Sequence, residues 1–137
     1  IQLIENNIAK MGATCVKTMQ ADAMNVHFDF LFDKILIDAP CSGLGVLRHK
    51  PDLKYQMTLE KIASIKKTQE QILENMSKYV KPNGVLVYST CTINKEENED
   101  MIQQFLFKHP SFQKEKEIRV FPSSKEDGFY ICRLRGY

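Results

Sequence analysis

Four cysteines, Cys15, Cys41, Cys91 and Cys132, are the side chains of this 137-residue sequence best suited to covalent chemistry. None of them stands in a C-x-x-C pair, which disfavours a zinc ribbon or a thioredoxin-type site. Cys15 and Cys132 lie in apolar, strand-like stretches, where a free cysteine acts as a small hydrophobe. Cys41 and Cys91 lie beside turn-forming and polar residues, where a thiolate can act as a nucleophile. Taken alone, these positions still favour a structural role for each cysteine.

Cys41 and Cys91 each follow a stretch that is predicted to be a buried strand. Residues 33–38 (DKILID) and 84–90 (GVLVYST) are short apolar runs bounded by polar or turn residues. This pattern is typical of strands buried on both faces of a parallel sheet. In open α/β sheets, ligands bind beyond the carboxyl ends of the strands. The strand pattern therefore indicates that residues 38–43 and 89–92 are the functional segments.

The rest of the sequence alternates between helical and strand-like spacing of apolar residues. Helices are predicted at residues 1–11, 58–79 and 95–108, the last with Asn94 as its cap. Further strands are predicted at residues 15–19, 118–121 and 129–134. Glycine and proline predict a long loop at residues 39–55 and a turn at residues 81–84. This alternation favours an α/β fold with a mostly parallel sheet and helices on both faces.

Composition and charge exclude some classes of protein without selecting one. The net charge of +2 does not by itself indicate a nucleic-acid-binding protein. No apolar run is long enough to span a bilayer, and no signal sequence opens the chain. Reduced thiols in a cytoplasmic protein without a metal are therefore expected. Because Ile1 already stands within a predicted helix and no cap residue precedes it, residues 1–137 are expected to be part of a longer protein.

Two segments resemble the signature motifs of the RNA 5-methylcytosine methyltransferases: DAPCSG at residues 38–43 and STCT at residues 89–92. Shorter matches are GV at residues 45–46 with Arg48 after it, PDLKY at 51–55, EEN at 96–98 and DGF at 127–129. Within that family, the sequence is similar to the bacterial 16S ribosomal RNA methyltransferase B type, also called Sun or Fmu. The resemblance implies a Rossmann-like S-adenosylmethionine-dependent methyltransferase fold, with residues 1–137 as the C-terminal portion of the catalytic domain.

The resemblance also implies that a cysteine attacks a cytosine ring. Carbon 5 of cytosine accepts a methyl group only after a thiolate adds to carbon 6, and an acid near ring nitrogen 3 balances the charge. By resemblance, Cys91 is the nucleophile, Cys41 assists release of the product, and Asp38 contacts ring nitrogen 3 and the exocyclic amine. The chemistry alone does not distinguish the two thiols. In DNA cytosine methyltransferases the cysteine after a proline is the nucleophile, which would favour Cys41.

S-adenosylmethionine is the implied cofactor. By resemblance, Asp22 approaches its adenine, and Asp38 and Pro40 are further candidate contacts at the strand end. The ordinary alternative is that each aspartate only ends a strand or caps a turn. The family's glycine-rich loop, its acidic ribose contact and its N-terminal RNA-binding domain have no counterpart in residues 1–137. This chain alone is therefore expected to bind the cofactor weakly, to lack activity and to self-associate.

RNA, and specifically 16S ribosomal RNA, is the implied partner, and its target base must be unstacked to reach Cys91. Arg48 and Lys54 are candidate phosphate contacts, although a solvated loop is the ordinary explanation of a basic run. The EEN at residues 96–98 is also consistent with charges that favour the start of a helix. Two other functions stay open: an amino-methyltransferase, whose Asp/Asn-Pro-Pro-aromatic motif stands at the same strand end, and a non-catalytic RNA-binding fragment.

Overall fold

The computed structural model describes residues 1–137, and its centre is a four-stranded sheet with two packed helices. The helices are α1 (Gln2–Met11), α2 (Leu53–Gln56), α3 (Leu59–Ser77) and α4 (Glu99–Lys108), and a 3-10 turn spans Lys95–Glu97. The strands are β1 (Phe32–Asp38), β2 (Val80–Thr90), β3 (Phe112–Val120) and β4 (Phe129–Gly136). Helices separate the first three strands along the chain, as the sequence predicted.

The sheet has the strand order β1-β2-β4-β3 and is mixed. β1 and β2 run parallel, because the crossover between them contains α3. β4 runs antiparallel to both β2 and β3. Only residues 121–128 connect β3 to β4, and a short connection joins antiparallel neighbours. The α/β fold class is confirmed. Of the three strand pairs in the sheet, β1 with β2 is the parallel pair.

The hydrophobic core lies between one face of the sheet and the helices α3 and α4. Leu73 of α3, Ile102 of α4 and Leu134 of β4 are fully buried in it. The apolar stripe predicted for α3 is buried as expected from Gln69 to Met76. The other face carries no packed helix within residues 1–137, since α1 buries none of its residues and Leu36 is 70% exposed.

The strand predicted at residues 15–19 is not formed, so this prediction is wrong. The segment between α1 and β1 contains neither helix nor strand, and Val16 and Met19 are exposed. A strand needs a neighbour that satisfies its backbone N–H and C=O groups. β1, the edge strand nearest in sequence, pairs with β2 alone. Residues 15–19 pair with no strand of this sheet, and their apolar spacing alone does not make them a strand.

Three other boundaries differ from the sequence-based expectation. The turn predicted at residues 81–84 is an irregularity inside β2, where Asn83 has a φ of 61° and the pairing with β1 shifts register. β3 begins at Phe112 rather than at residue 118, because residues 112–117 also pair with β4. The charged residues 114–117 lack the apolar alternation from which a strand is predicted. The helix predicted at residues 95–108 is divided at Asn98, and Asn94 caps its first turn as predicted.

Candidate active site

The carboxyl ends of β1 and β2 bring the two predicted functional segments together. Asp38 lies opposite Ser89 in the parallel pairing, so the chain leaves both strands at the same edge of the sheet. The Sγ atoms of Cys41 and Cys91 are 3.3 Å apart, a hydrogen-bonding distance for two sulfur atoms. Both thiols are partly buried and unoxidised. Two cysteines that are distant in sequence therefore form one dithiol site.

The surroundings of Cys41 disfavour ionisation of its thiol. Burial, and next the hydrogen bond with Cys91, raise the pKa of the Cys41 thiol to about 12. Burial has this effect because it disfavours the charged thiolate. At neutral pH Cys41 therefore keeps its proton, and its S–H is available to donate a hydrogen bond to Cys91.

Two glycines allow three loops to meet beside the dithiol. Gly45 donates its N–H to the carbonyl of Cys91 (3.0 Å), and Gly128 donates its N–H to the carbonyl of Gly45 (2.8 Å). A Cβ atom on Gly45 would lie 2.4 Å from the Gly128 oxygen and 2.7 Å from the Cys91 oxygen. Any side chain at Gly45 would therefore push apart the segments that hold the two cysteines.

A network of buried polar side chains also links the two cysteine segments. Glu97 is fully buried, and its carboxylate accepts hydrogen bonds from the Ser42 N–H (2.9 Å), the Ser42 hydroxyl (2.5 Å) and the Gln69 amide (3.0 Å). The Ser42 hydroxyl lies 2.8 Å from that of Thr92. Ser42 follows Cys41 and Thr92 follows Cys91, so the network holds both cysteine segments.

Sequence reasoning missed Glu97 and Gln69 as site residues. A helix-start role fits Glu96, which is exposed and paired with Lys66 at 2.6 Å, but it does not fit the buried Glu97. Gln69 offers a signal in the sequence, because a polar residue on the apolar stripe of a helix needs a hydrogen-bonding partner. Its amide donates to the carbonyl of Pro40 (2.8 Å) as well as to Glu97.

The candidate cofactor residues lie at the exposed edge of the site. Asp38 is exposed, and one of its carboxylate oxygens accepts a hydrogen bond from the Ser89 hydroxyl (3.1 Å) while the other has no protein partner. Pro40 is exposed in the loop that follows. Asp22 is exposed and accepts a hydrogen bond from the Met24 N–H (2.9 Å), so it caps its own turn. Exposed carboxylates of this kind fit a ligand that offers amine and hydroxyl donors.

The two candidate RNA-binding residues differ in their surroundings. The Arg48 guanidinium donates to the carbonyl of Ser124 (2.7 Å) and lies 3.7 Å from the Asp127 carboxylate. Arg48 therefore joins its loop to residues 123–128, and its side chain is 45% exposed. Lys54 is exposed on α2, with its Nζ atom 6.0 Å from the centre of the Tyr55 ring. Lys54 therefore makes fewer polar contacts within the chain than Arg48 does.

Metal-binding clusters and membrane-spanning helices are two features that the structure does not contain. No group of three or more His, Cys, Asp or Glu side chains is arranged to hold a metal ion. None of the helices combines the length and the apolar character that crossing a membrane requires.

The family of the chain follows from comparison with known sequences. The sequence profile described as 16S rRNA methyltransferase RsmB/F matches residues 1–135. The chain belongs to this family. The probable ribosomal RNA small subunit methyltransferase B of Bacillus subtilis (strain 168) is 35% identical to it, over 98% of this chain and 35% of the relative. The ribosomal RNA small subunit methyltransferase F of Vibrio cholerae serotype O1 (strain M66-2) is 36% identical, over 98% of this chain and 33% of the relative. The chain thus spans about a third of the length of these RsmB/F relatives.

Solved structures agree with the fold of this RsmB/F chain. A structure described as NSun6 from Pyrococcus horikoshii with SFG has a TM-score of 0.85 and 34% identity, covering 96% of this chain and 37% of that chain. A structure described as PH0851 has a TM-score of 0.88 and 32% identity, covering 95% of this chain and 33% of that chain. The predicted methyltransferase fold is therefore confirmed.

Proposed function

We propose that the RsmB/F protein that contains this chain is an S-adenosylmethionine-dependent cytosine-5 methyltransferase of 16S ribosomal RNA in the cytoplasm. The observation that carries the proposal is the 3.3 Å separation of the Cys41 and Cys91 sulfur atoms at the ends of two parallel strands. Thiol chemistry serves attack on a ring carbon, whereas transfer to an exocyclic nitrogen does not require it. The names of the curated relatives suggest small-subunit ribosomal RNA as the substrate.

Cys91 is the proposed nucleophile. Its thiolate forms a bond to carbon 6 of cytosine, which moves ring electrons to carbon 5. Cys41, which stays protonated because of its raised pKa, is poorly suited to attack and well suited to donate a hydrogen bond. Once a base has taken the proton from carbon 5, the sulfur–carbon bond breaks and its electron pair leaves with the Cys91 sulfur. An S–H donor at 3.3 Å stabilises this departing thiolate, which is the assistance proposed for Cys41.

Asp38 is the proposed contact to ring nitrogen 3 and the exocyclic amine of the target cytosine. Its exposed position at the end of β1, one strand away from Cys91, supports this role. Asp22, Asp38 and Pro40 are the residues of this chain that would hold S-adenosylmethionine, which supplies the methyl group when bound. Residues 1–137 supply these contacts but contain no glycine-rich loop. We therefore expect the isolated chain to lack methyltransferase activity.

Lys54 and Arg48 are the proposed phosphate contacts. Lys54 carries the stronger proposal, because its ammonium group is exposed and engages no carboxylate within hydrogen-bonding distance. Arg48 can contact phosphate through the exposed part of its guanidinium while it holds residues 123–128 in place. Both residues flank the loop that carries Cys41, where a polyanion must approach.

Cysteine variants of the full-length protein test this function. Each is incubated with its RNA and S-adenosylmethionine and resolved on a denaturing gel. We expect Cys91→Ala to form no covalent species and Cys41→Ala to accumulate one that does not resolve. The reverse pattern would assign the nucleophile to Cys41. Methyl transfer by the unmodified protein without any adduct on 5-fluorocytosine RNA would support an amino-methyltransferase, and RNA binding without methyl transfer would support a non-catalytic protein.

A further inference from the structure

The fully buried Glu97 is surrounded by hydrogen-bond donors. Besides the contacts from Ser42 and Gln69, the amide of Asn94 donates to its Oε1 atom (3.1 Å). No lysine or arginine side chain forms an ion pair with it, although a buried carboxylate ordinarily needs a charged partner. A buried acidic side chain held only by neutral donors, at a junction of two loops, indicates a specific positional role.

The Glu97 carboxyl group collects hydrogen bonds from several segments of the chain. Three N–H groups, from the Ser42 backbone and from the amides of Gln69 and Asn94, can only donate, and all three point at this carboxyl group. The Asn94 backbone N–H donates to the Thr92 hydroxyl (3.2 Å), and the Thr92 and Ser42 hydroxyls lie 2.8 Å apart. One buried side chain therefore joins the segment after Cys41 to the segment after Cys91.

The next residue, Asn98, secures the Cys91 segment from both sides. Asn98 is fully buried. Its side-chain oxygen accepts a hydrogen bond from the Thr90 hydroxyl (2.6 Å), and its side-chain amide donates to the carbonyl of Thr92 (2.9 Å). Thr90 and Thr92 are the neighbours of Cys91. Glu97 thus stands on a rigidly held segment and reaches from there to Ser42, beside Cys41.

We propose that Glu97 is a positioning residue that sets the separation between the Cys41 and Cys91 sulfur atoms. The inference rests on the proposed function for its catalytic meaning, but the geometric claim concerns the dithiol itself. Without the Glu97 side chain, Ser42 loses two hydrogen bonds, and the backbone links that remain between the two cysteine segments are those from the Ala39 N–H to the Ser89 carbonyl and from the Gly45 N–H to the Cys91 carbonyl. Glu97 does not need to touch the RNA in order to affect the reaction.

The first test measures covalent attack by full-length Glu97→Ala on a 5-fluorocytosine RNA under single-turnover conditions. Amplitude reports the fraction of folded enzyme, whereas the first-order rate constant reports the geometry of the reacting groups. We expect the rate constant to fall on the order of 100-fold, as misplacement of catalytic groups does, with the amplitude unchanged. Glu96→Ala is the matched control, because Glu96 is the exposed neighbour, and its rate constant should equal that of the unmodified protein. A reduced amplitude with an unchanged rate constant would overturn the proposal, since it would make Glu97 a determinant of stability alone.

The second test requires no catalysis. An aryl arsenoxide exchanges its oxygen for two thiols, forming two As–S bonds and releasing water, and so it reports sulfur atoms that are close together. We expect tight binding that Cys41→Ala abolishes and that Glu97→Ala weakens about 10-fold or more, in line with the loss of a fixed geometry. If the protein forms no RNA adduct but this pattern holds, the proposed function fails and the positioning role stands. Unchanged arsenical binding by Glu97→Ala would refute the positioning role.

Ser42→Ala provides the same test with a smaller perturbation if Glu97→Ala does not fold. It removes one hydroxyl and keeps the Ser42 N–H contact to the Glu97 carboxylate. We expect a fall of about 10-fold in the rate constant for adduct formation, because the hydrogen bond from the Ser42 hydroxyl to the Glu97 side chain is lost. A rate constant equal to that of the Glu96→Ala control would contradict the role assigned to the network.

Discussion

The end of the molecule that carries the dithiol and the N-terminal end, residues 1–31, are organised in different ways. At the carboxyl ends of β1 and β2, Ser42, Thr92 and Glu97 are buried and each has hydrogen-bonding partners within the chain. In residues 1–31, α1 buries none of its residues, and its Leu3 and Met11 are 77% and 82% exposed. The geometry of the dithiol is therefore set by contacts inside this chain, whereas the candidate cofactor contact Asp22 lies in a segment with few such contacts.

The largest effect is expected from substitution of a glycine at the dithiol end. Gly45→Ala places a Cβ atom 2.4 Å and 2.7 Å from two backbone oxygens, so we expect a loss of about 3 kcal/mol in the free energy of unfolding and loss of activity. Gly12→Ala is the control from the other end: its φ is +64° but no atom lies within 4 Å of the added Cβ, and about 1 kcal/mol is expected. Urea denaturation of both variants measures the difference. Equal losses would show that the two ends do not differ in this way.

The next effect concerns the reactivity of two cysteines. Cys15 is exposed, whereas burial raises the pKa of Cys41 to about 12. Because Cys41 keeps its proton until the pH approaches that value, iodoacetamide at pH 8 should modify Cys15 at least 10-fold faster than Cys41. Peptide mass spectrometry of timed samples gives both rates of modification. Comparable rates would show that Cys41 is more accessible in solution than in the structure.

The same raised pKa makes Cys41 contribute to stability below the ordinary thiol pKa of 9.0. This contribution is lost as the pH rises from there towards 12.

A smaller effect is expected at Asn75, which contacts the turn that contains the candidate cofactor residue Asp22. Asn75 of α3 donates its amide to the carbonyls of Ala23 (3.2 Å) and Val26 (3.0 Å), which holds the turn that Asp22 begins. We expect Asn75→Ala to weaken binding of S-adenosylmethionine to the full-length protein about 10-fold, because two hydrogen bonds to the turn are lost. The rate constant for adduct formation at saturating cofactor should not change. A changed rate constant with unchanged affinity would mean that the two ends are coupled.

The smallest effect is expected from the exposed charge of Lys54. Lys54→Ala should reduce the slope of log affinity for RNA against log salt concentration by about one. Arg48→Ala should reduce it less, since the Arg48 guanidinium is already engaged by Ser124 and Asp127. Fluorescence anisotropy over a range of salt concentrations measures both slopes. Unchanged slopes would leave these residues as ordinary surface charges.

Sequence reasoning succeeded where the signals are local. The strand ends at Asp38 and Thr90, the buried stripe of α3 and the cap at Asn94 depend on short patterns of residue types. The absence of a strand at residues 15–19 and the antiparallel course of β4 depend on which strands pair, and a period of two residues does not determine this. The burial of Glu97 was missed for the same reason, because its partner Ser42 is 55 residues away.

The site of RNA attachment tests the central claim most directly. Full-length protein is trapped on 5-fluorocytosine RNA with S-adenosylmethionine, digested with trypsin and nuclease, and sequenced by tandem mass spectrometry. Trypsin separates the two cysteines, because Arg48 and Lys78 lie between them. We predict that the modified nucleotide is attached to Cys91 and that Cys41 remains a free thiol. Attachment to Cys41, or to neither cysteine, would contradict the account.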